Sequence, residues 1–302
     1  MMAAKTEPRP ETVWAQPVEA EELAMEKARR ERNRALIVPR EHGAWGLLLV
    51  PMVTAAGVAF RQSTNVFPFV LLLTAALALF WLRTPLESLL GISAIRAETK
   101  EERGSVAFVV LYLAIVAVLA SSMLLWAGQN PLLWLIGAAA GVAFVAQAVL
   151  RKMGRHTRML SEIVGTIGLT ASAPAVYYVI TGKFGITGWM LWLVNLTFAG
   201  NQIHYVQIRI HTCKLSGFYA KLARARTFAL GQLAMAAVLA AACWLGWMPW
   251  LVLLAFVPLL LRGFYYFVQK PALLRVRRLG WNELAQAIVF CVLFIMTFAL
   301  SV

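Results

Sequence analysis

The sequence contains no aspartate. All fourteen of its acidic residues are glutamate. Half of them, Glu7, Glu11, Glu19, Glu21, Glu22, Glu26 and Glu31, lie in an N-terminal tail, leaving Glu41, Glu87, Glu98, Glu101, Glu102, Glu162 and Glu283 for carboxylate chemistry. Aspartate-rich metal motifs are thereby excluded. Cysteine is scarce as well. Cys213, Cys243 and Cys291 are scattered, with neither disulfide nor metal-ligand spacing, and read as small apolar fillers. Charged residues make up 14% of the chain, against about 25% in a soluble domain. No apolar run precedes Gly43, so a cleavable secretory signal, which places a short apolar stretch near the start, is not expected. Strict apolar–polar alternation is also missing. Runs such as Leu251–Leu261 are continuous, which excludes a transmembrane β-barrel.

What remains is apolar and basic. Hydrophobic residues form 61% of the 302 residues, and the mean hydropathy is +0.71. One helical crossing of a bilayer takes about 20 mostly apolar residues. Apolar runs bounded by charges or turns predict an all-α, polytopic membrane bundle of nine crossings: Gly43–Phe60, Val66–Leu82, Val106–Trp126, Pro131–Leu150, Ile163–Ile180, Ile186–Ile208, Phe228–Trp247, Pro249–Val268 and Leu284–Val302. Short turns at Gly128-Gln129-Asn130 and Gly246-Trp247-Met248-Pro249 predict antiparallel hairpins. Residues 1–38 read as a charged cytoplasmic tail, partly disordered (residues 1–18) or a surface helix (Glu19–Arg34), and residues 39–302 as the membrane domain.

Lys and Arg fix the expected orientation, because they gather in cytoplasmic loops. Twenty-five of the 28 lie in the tail or in the connections after the second, fourth, sixth and eighth crossings. Arg61 and Lys183 fall on the other side, and Arg262 lies inside the eighth crossing. The N-terminus is therefore expected in the cytoplasm and, with nine crossings, the C-terminus outside. The net charge of +14 is spread over juxtamembrane loops, where it meets anionic lipid headgroups at about 1 kcal/mol per residue. A nucleic-acid partner would instead require a concentrated basic stripe. No protein partner is legible.

Polar groups collect at the expected cytoplasmic ends: Arg40-Glu41-His42 before the first crossing, Arg83 and Glu87 after the second, Ser161-Glu162 before the fifth, Asn201 to Arg209 closing the sixth, and Asn282-Glu283 before the ninth. Structural readings compete. Thr84-Pro85-Leu86-Glu87 has the form of a capping box with proline at the first helical position. Ser161 and Asn282 fit N-caps, and a carboxylate at a helix N-terminus is favoured by about 0.3–1 kcal/mol. The sixth crossing is less easily explained. At about 100° per residue, Asn201, His204, Gln207 and His211 share one face, while Asn195, Gln202 and Arg209 share another. Such residues in a membrane helix face protein, water or ligand.

Pro39-Arg40-Glu41-His42-Gly43-Ala44-Trp45, followed by an apolar run to Pro51, resembles the opening signature of the YwiC-like family of bacterial membrane proteins. Leu279-Gly280-Trp281-Asn282-Glu283-Leu284 is similar to the way that family's last helix begins, so the resemblance spans about Pro39 to Val302. It implies a bacterial plasma-membrane protein. Nine helices with an inside N-terminus also resemble the UbiA-type intramembrane prenyltransferases. In that superfamily two Asp-rich motifs, after the second and sixth helices, bind Mg²⁺ and a prenyl diphosphate. This resemblance puts Glu87 near the first motif and Asn201, Gln202 and His204 near the second. Without aspartate neither motif is intact, and the second place holds no carboxylate.

Three functions follow as expectations. The first is a UbiA-like protein with a cytoplasm-facing polar pocket, acting as a divergent transferase on an isoprenoid or other amphipathic lipid. Glu87, Glu162 and His204 would be catalytic. Arg83, Asn201, Gln202, Arg209, Glu41, His42, Asn282 and Glu283 would bind substrate; the cofactor is left open, since the Mg²⁺ that the resemblance implies has no aspartate to hold it. The second is a transporter, whose substrate site would lie near the bilayer midplane on broken helices. The third is a non-catalytic membrane scaffold.

Overall fold

A computed structural model describes residues 11–39, 42–93, 95–127, 131–213, 215–270 and 276–301. Among these, all regular structure is helical. The chain falls into two units, one of residues 1–40 and 77–116 and the other of residues 41–76 and 117–302.

In the first unit, α1 (Glu11–Ile37) lies with the C-terminal part of α3 (Val66–Leu89) and the N-terminal part of α4 (Lys100–Trp126). Leu36, Ala97 and Val106 form its core, with Ile37, Leu89 and Ile95 packed on them. The last carbonyls of a helix have no partner in their own helix. Here Ser88 Oγ donates to Leu36 O at 3.2 Å and Trp81 Nε1 donates to Ile37 O at 2.9 Å. Thr99 and Glu102 build a capping box for α4: Glu102 N donates to Thr99 Oγ1 at 3.1 Å, and Glu102 Oε2 accepts from Thr99 N at 3.3 Å and Glu98 N at 2.9 Å. Arg29 pairs with Glu101, and Arg32 with Glu98 and Glu102.

The second unit contains α2 (His42–Ala59), α5 (Pro131–Lys152), α6 (Arg158–Thr170), α7 (Ser172–Thr181), α8 (Gly185–Thr212), α9 (Phe218–Arg224), α10 (Arg226–Trp244), α11 (Val257–Val268) and α12 (Val276–Ser301). Helix α2 packs against α6, α7, α8 and α12. Along α12, Phe290, Phe294 and Phe298 recur every four residues and are buried, with Phe290 stacked on Phe198 at 4.0 Å. Leu284, Ile288, Val292, Met296 and Leu300 recur at the same spacing and are exposed. A helix apolar on both faces needs lipid outside as well as protein inside.

Seven helices, among the described residues, are long and apolar enough to cross a membrane. The chain is thus a multi-pass membrane protein in contact with lipid. The other two expected crossings exist as helices but are not among the seven. Among the residues whose side chains are described, the apolar part of α2 is Trp45–Ala59, and the C-terminal half of α8 carries the polar residues noted above.

Several local expectations change. Helix α3 runs through Pro85 to Leu89, so Thr84–Glu87 ends a helix rather than opening one, and Glu87 pairs back with Arg83. Helix α12 begins at Val276, which puts Asn282 and Glu283 inside it rather than at its cap. Ser161 lies inside α6 and donates to Gln147 O at 3.2 Å. The fifth crossing is broken at Ala171 into α6 and α7, and the eighth changes from a 3₁₀-helix, Trp250–Phe256, to α11 with Pro258 in its first turn. The turn after Trp244 forms as expected: Gly246, at φ +72°, lets Trp247 N reach Ala242 O at 2.9 Å. The Gly128–Asn130 turn lies outside the described residues, as does Glu41; the side chain of His42 is likewise not described.

Candidate functional site

Helix α8 is 28 residues long, about 42 Å at 1.5 Å per residue. Its polar side chains leave it in several directions. Asn195, fully buried, donates to Thr54 Oγ1 of α2 at 3.0 Å and to Leu191 O at 2.8 Å. Gln202 Nε2 donates to Glu283 O of α12 at 3.2 Å. Gln207 Nε2 donates to Glu162 Oε2 of α6. Arg209 Nη1 donates to Gln269 Oε1, just beyond α11, at 2.8 Å. His211 Nδ1 bonds the Gln207 carbonyl of its own helix at 2.7 Å. Asn195, Gln202, Gln207 and Arg209 therefore tie α8 to its neighbours.

Asn201 and His204 do something different. They line a groove of about 330 Å³ between α8 and α10, a size at the lower end for ligand sites. Because α10 runs back along α8, the groove is graded from end to end. Leu193, Leu196, Ala234, Met235 and Val238 make one end apolar, whereas Asn201, His204 and Gln232 make the other polar. Phe228 meets the His204 ring edge-on at 5.2 Å. Gln232 is 1% exposed, and both polar atoms of its amide lack a partner, as does Asn201 Oδ1. Buried polar groups are normally paired; these three atoms are exceptions, and the Gln232 amide lies against Gly263 of α11.

A second polar centre lies between α8, α11 and α12. Arg262 Nη1 and Glu283 Oε1 pair at 2.6 Å, with side chains 15% and 13% exposed. The guanidinium lies 3.9 Å over the Tyr205 ring, so a cation–π contact covers its face. Arg262 Nε and Nη2, Glu283 Oε2 and Gln286 Nε2 remain without partners.

Of the expected site residues, Asn201 and His204 share the groove, while Gln202 and Glu283 meet beside Arg262. Glu162 meets Gln207, and Asn282 is exposed. In the first unit Arg83 Nε donates to Glu87 Oε1 at 2.9 Å. Gln232, Arg262, Tyr205 and Gln286 were not anticipated as site residues. The available signals were Gln232 as a polar residue in an apolar run and Arg262 as a charge inside an expected crossing.

No three His, Cys, Asp or Glu side chains gather as metal ligands among the described residues. The polar end of the groove offers amides and an imidazole, whereas Mg²⁺ held with a phosphate takes one or two carboxylates. This donor set does not fit a Mg²⁺–diphosphate.

A profile of the YwiC-like protein family matches residues 38–177. Over these residues, a little under half of its length, the chain is similar to that family. The match includes the Pro39–Trp45 motif and stops before α8 and the Leu279–Leu284 segment. No curated protein and no solved structure gives a significant match.

Proposed function

We propose that the protein holds an amphipathic lipid in the groove between α8 and α10 and acts on it as a divergent transferase toward an isoprenoid or a similar lipid. The observation that carries this reading is the grading of the groove, apolar toward Leu193 and Val238 and polar at Asn201, His204 and Gln232. An amphipathic molecule has the same grading. Within this reading Asn201 and His204 border the head of the bound lipid, and His204 is the groove residue able to exchange a proton with it. The reading rests on residues of the second unit alone.

In the same proposal the chain crosses a bacterial plasma membrane nine times in a UbiA-like arrangement, with residues 1–38 in the cytoplasm and the C-terminus outside. Helices α2 and α8 complete the count, and the polar half of α8 is accommodated by bonds to α6 and α12. The distribution of Lys and Arg supports this orientation and brings anionic lipid headgroups to the inner loops. Exposed tryptophans at the opposite helix ends, Trp126, Trp134, Trp189, Trp244 and Trp250, fit an interfacial belt.

Native mass spectrometry of the purified protein tests the site. Gly200 lines the groove, and a Cβ added there meets nothing within 4 Å. Gly200→Phe should therefore fill the groove without disturbing the backbone and displace the co-purifying lipid. Equal lipid occupancy in the variant would remove the proposal. Once the lipid is identified, His204→Ala should keep it bound and abolish transfer, and undiminished turnover would rule out the transferase.

One observation favours a second reading, transport. The expected fifth crossing has a one-residue irregularity at Ala171 and the eighth changes from 3₁₀ to α-helix at Val257, and transporters build substrate sites on irregular helices. Uptake of the identified substrate into proteoliposomes containing only this protein would put transport first.

A further inference from the structure

We infer that the corner formed by the end of α8, by α9 and by the end of α11 binds the anionic headgroup of a membrane phospholipid, with Arg209 as the side chain that meets it. The inference rests on the proposed placing of these loops at the membrane surface and is separate from the groove.

Between Glu162 and Glu283 the sequence has no acidic residue. All three elements of the corner come from that stretch, so their cations have no carboxylate of their own. Two of these cations converge on one residue. Arg209 Nη1 donates to the Gln269 side chain at 2.8 Å, and Lys221 Nζ donates to the Gln269 carbonyl. Neither meets a carboxylate among the described residues. The first unit shows the opposite pattern, since Arg29, Arg32 and Arg83 all pair with glutamates. Cations held together without a counter-charge make a local positive field that attracts an anion.

The two cations act differently. Lys221 is buried, and its ammonium is taken up by the last carbonyls of α11, so it adds to the field without touching a ligand. Arg209 is half-buried. Its Nη1 is used on Gln269 and its Nε is enclosed, which leaves Nη2 as the outward nitrogen. Lys270 follows Gln269 directly and Arg224 lies one turn beyond Lys221, and both are exposed. Phe218 and Tyr219 of α9 are exposed as well. Aromatic rings beside basic residues suit a segment lying in the headgroup layer of a bilayer. A dissolved anion would leave those rings in water, whereas a phospholipid meets the cations with its phosphate and the rings with its upper acyl region.

The test is native mass spectrometry of the full chain in detergent, with dioleoyl phosphatidylglycerol and dioleoyl phosphatidylcholine as probes. Phosphatidylglycerol should bind about fivefold tighter, and Arg209→Gln should remove that preference. Should Arg209→Gln lower the melting temperature, the exposed pair Arg224→Gln with Lys270→Gln serves as the second reporter, with the same loss expected. Lys152→Gln, which removes an exposed cation at the end of α5, should leave the preference intact. No preference in the wild type, a preference that survives in the reporting variant, or an equal loss in Lys152→Gln overturns the inference. Inorganic phosphate that displaces the lipid overturns it too, since the site would then belong to a dissolved anion. Gly200→Phe, which fills the groove, should keep the phosphatidylglycerol. Loss in that variant would seat the lipid in the groove, so that this inference falls while the groove reading stands. Retention that depends on Arg209 upholds the inference even where the groove reading fails.

Discussion

Arg262 of α11 and Glu283 of α12 form a 2.6 Å ion pair that is almost wholly enclosed, with the guanidinium stacked on Tyr205 of α8. The pair joins three helices. An isolated charge left in such a place is far more unfavourable than the pair itself, by about 3–5 kcal/mol when one partner is removed. Arg262→Met and Glu283→Leu should therefore each lower the melting temperature in detergent sharply. The double variant should recover most of the loss, because it buries no charge. Single-variant losses that simply add would show that the two residues are not coupled.

This pair also shows where sequence reading runs out. Arg262 stood out as a charge inside an apolar run, and Glu283 as a carboxylate near the start of the last crossing. Nothing in a one-dimensional pattern placed them together, because they lie on different helices and meet only through packing. The expected start of the ninth crossing at Leu284 made Glu283 a boundary residue. The helix begins at Val276 instead, because Arg277, Arg278 and Asn282 are compatible with helix although unfit for lipid. Apolarity marks the membrane, not the helix ends. Thr84-Pro85-Leu86-Glu87 misled for a related reason: the capping-box pattern is local, whereas α3 was already formed upstream and continues through the proline. The working capping box, Thr99 with Glu102, has the same spacing. By contrast, the apolar runs themselves and the polarity of α8 were legible, since each reflects burial or lipid contact over many residues. Gln232 was overlooked because a lone amide in a crossing gives no hint of its neighbours.

Asn195 and Thr54 bind each other at full burial between α8 and α2. Hydrogen bonds between membrane helices contribute about 0.6 to 2 kcal/mol. Thr54→Val keeps the shape and removes the hydroxyl, so it should destabilise by roughly 1 kcal/mol. A double-mutant cycle with Asn195→Leu should give a coupling energy of similar size. Coupling near zero would mean that Asn195 is satisfied by Leu191 O alone.

Arg32 of α1 meets Glu98 and Glu102, and Arg29 meets Glu101, all largely in the open apart from Glu102. Exposed pairs contribute about 0–1 kcal/mol each and weaken with salt. The contacts of Ser88 and Trp81 with the end of α1 are not ionic and persist. Arg32→Ala should therefore speed proteolysis near the start of α1 a few-fold at low salt, and 0.5 M salt should erase the difference from wild type. A difference that survives high salt would show that Arg32 acts by packing.

Lys221 of α9 is buried, and its ammonium donates to Tyr266 O at 3.1 Å and to Gln269 O. It thus closes the C-terminal end of α11, where cations are favoured, and lies 5.1 Å from the Tyr266 ring centroid. Burial, and then the positive charge of Arg209, pull its pKa below the ordinary 10.5. In the pH range between that lowered value and 10.5, the unfolded chain holds this proton more often than the folded one. Stability from this group therefore rises with pH across the window and is lost as pH falls through the folded value. The measurement is the melting temperature of wild type minus that of Lys221→Met, followed from neutral pH to 10.5, so that the other titrating groups cancel. The difference should grow in favour of wild type as pH rises. A difference that shrinks would mean that the charge on Lys221, through its two carbonyl bonds, outweighs its burial.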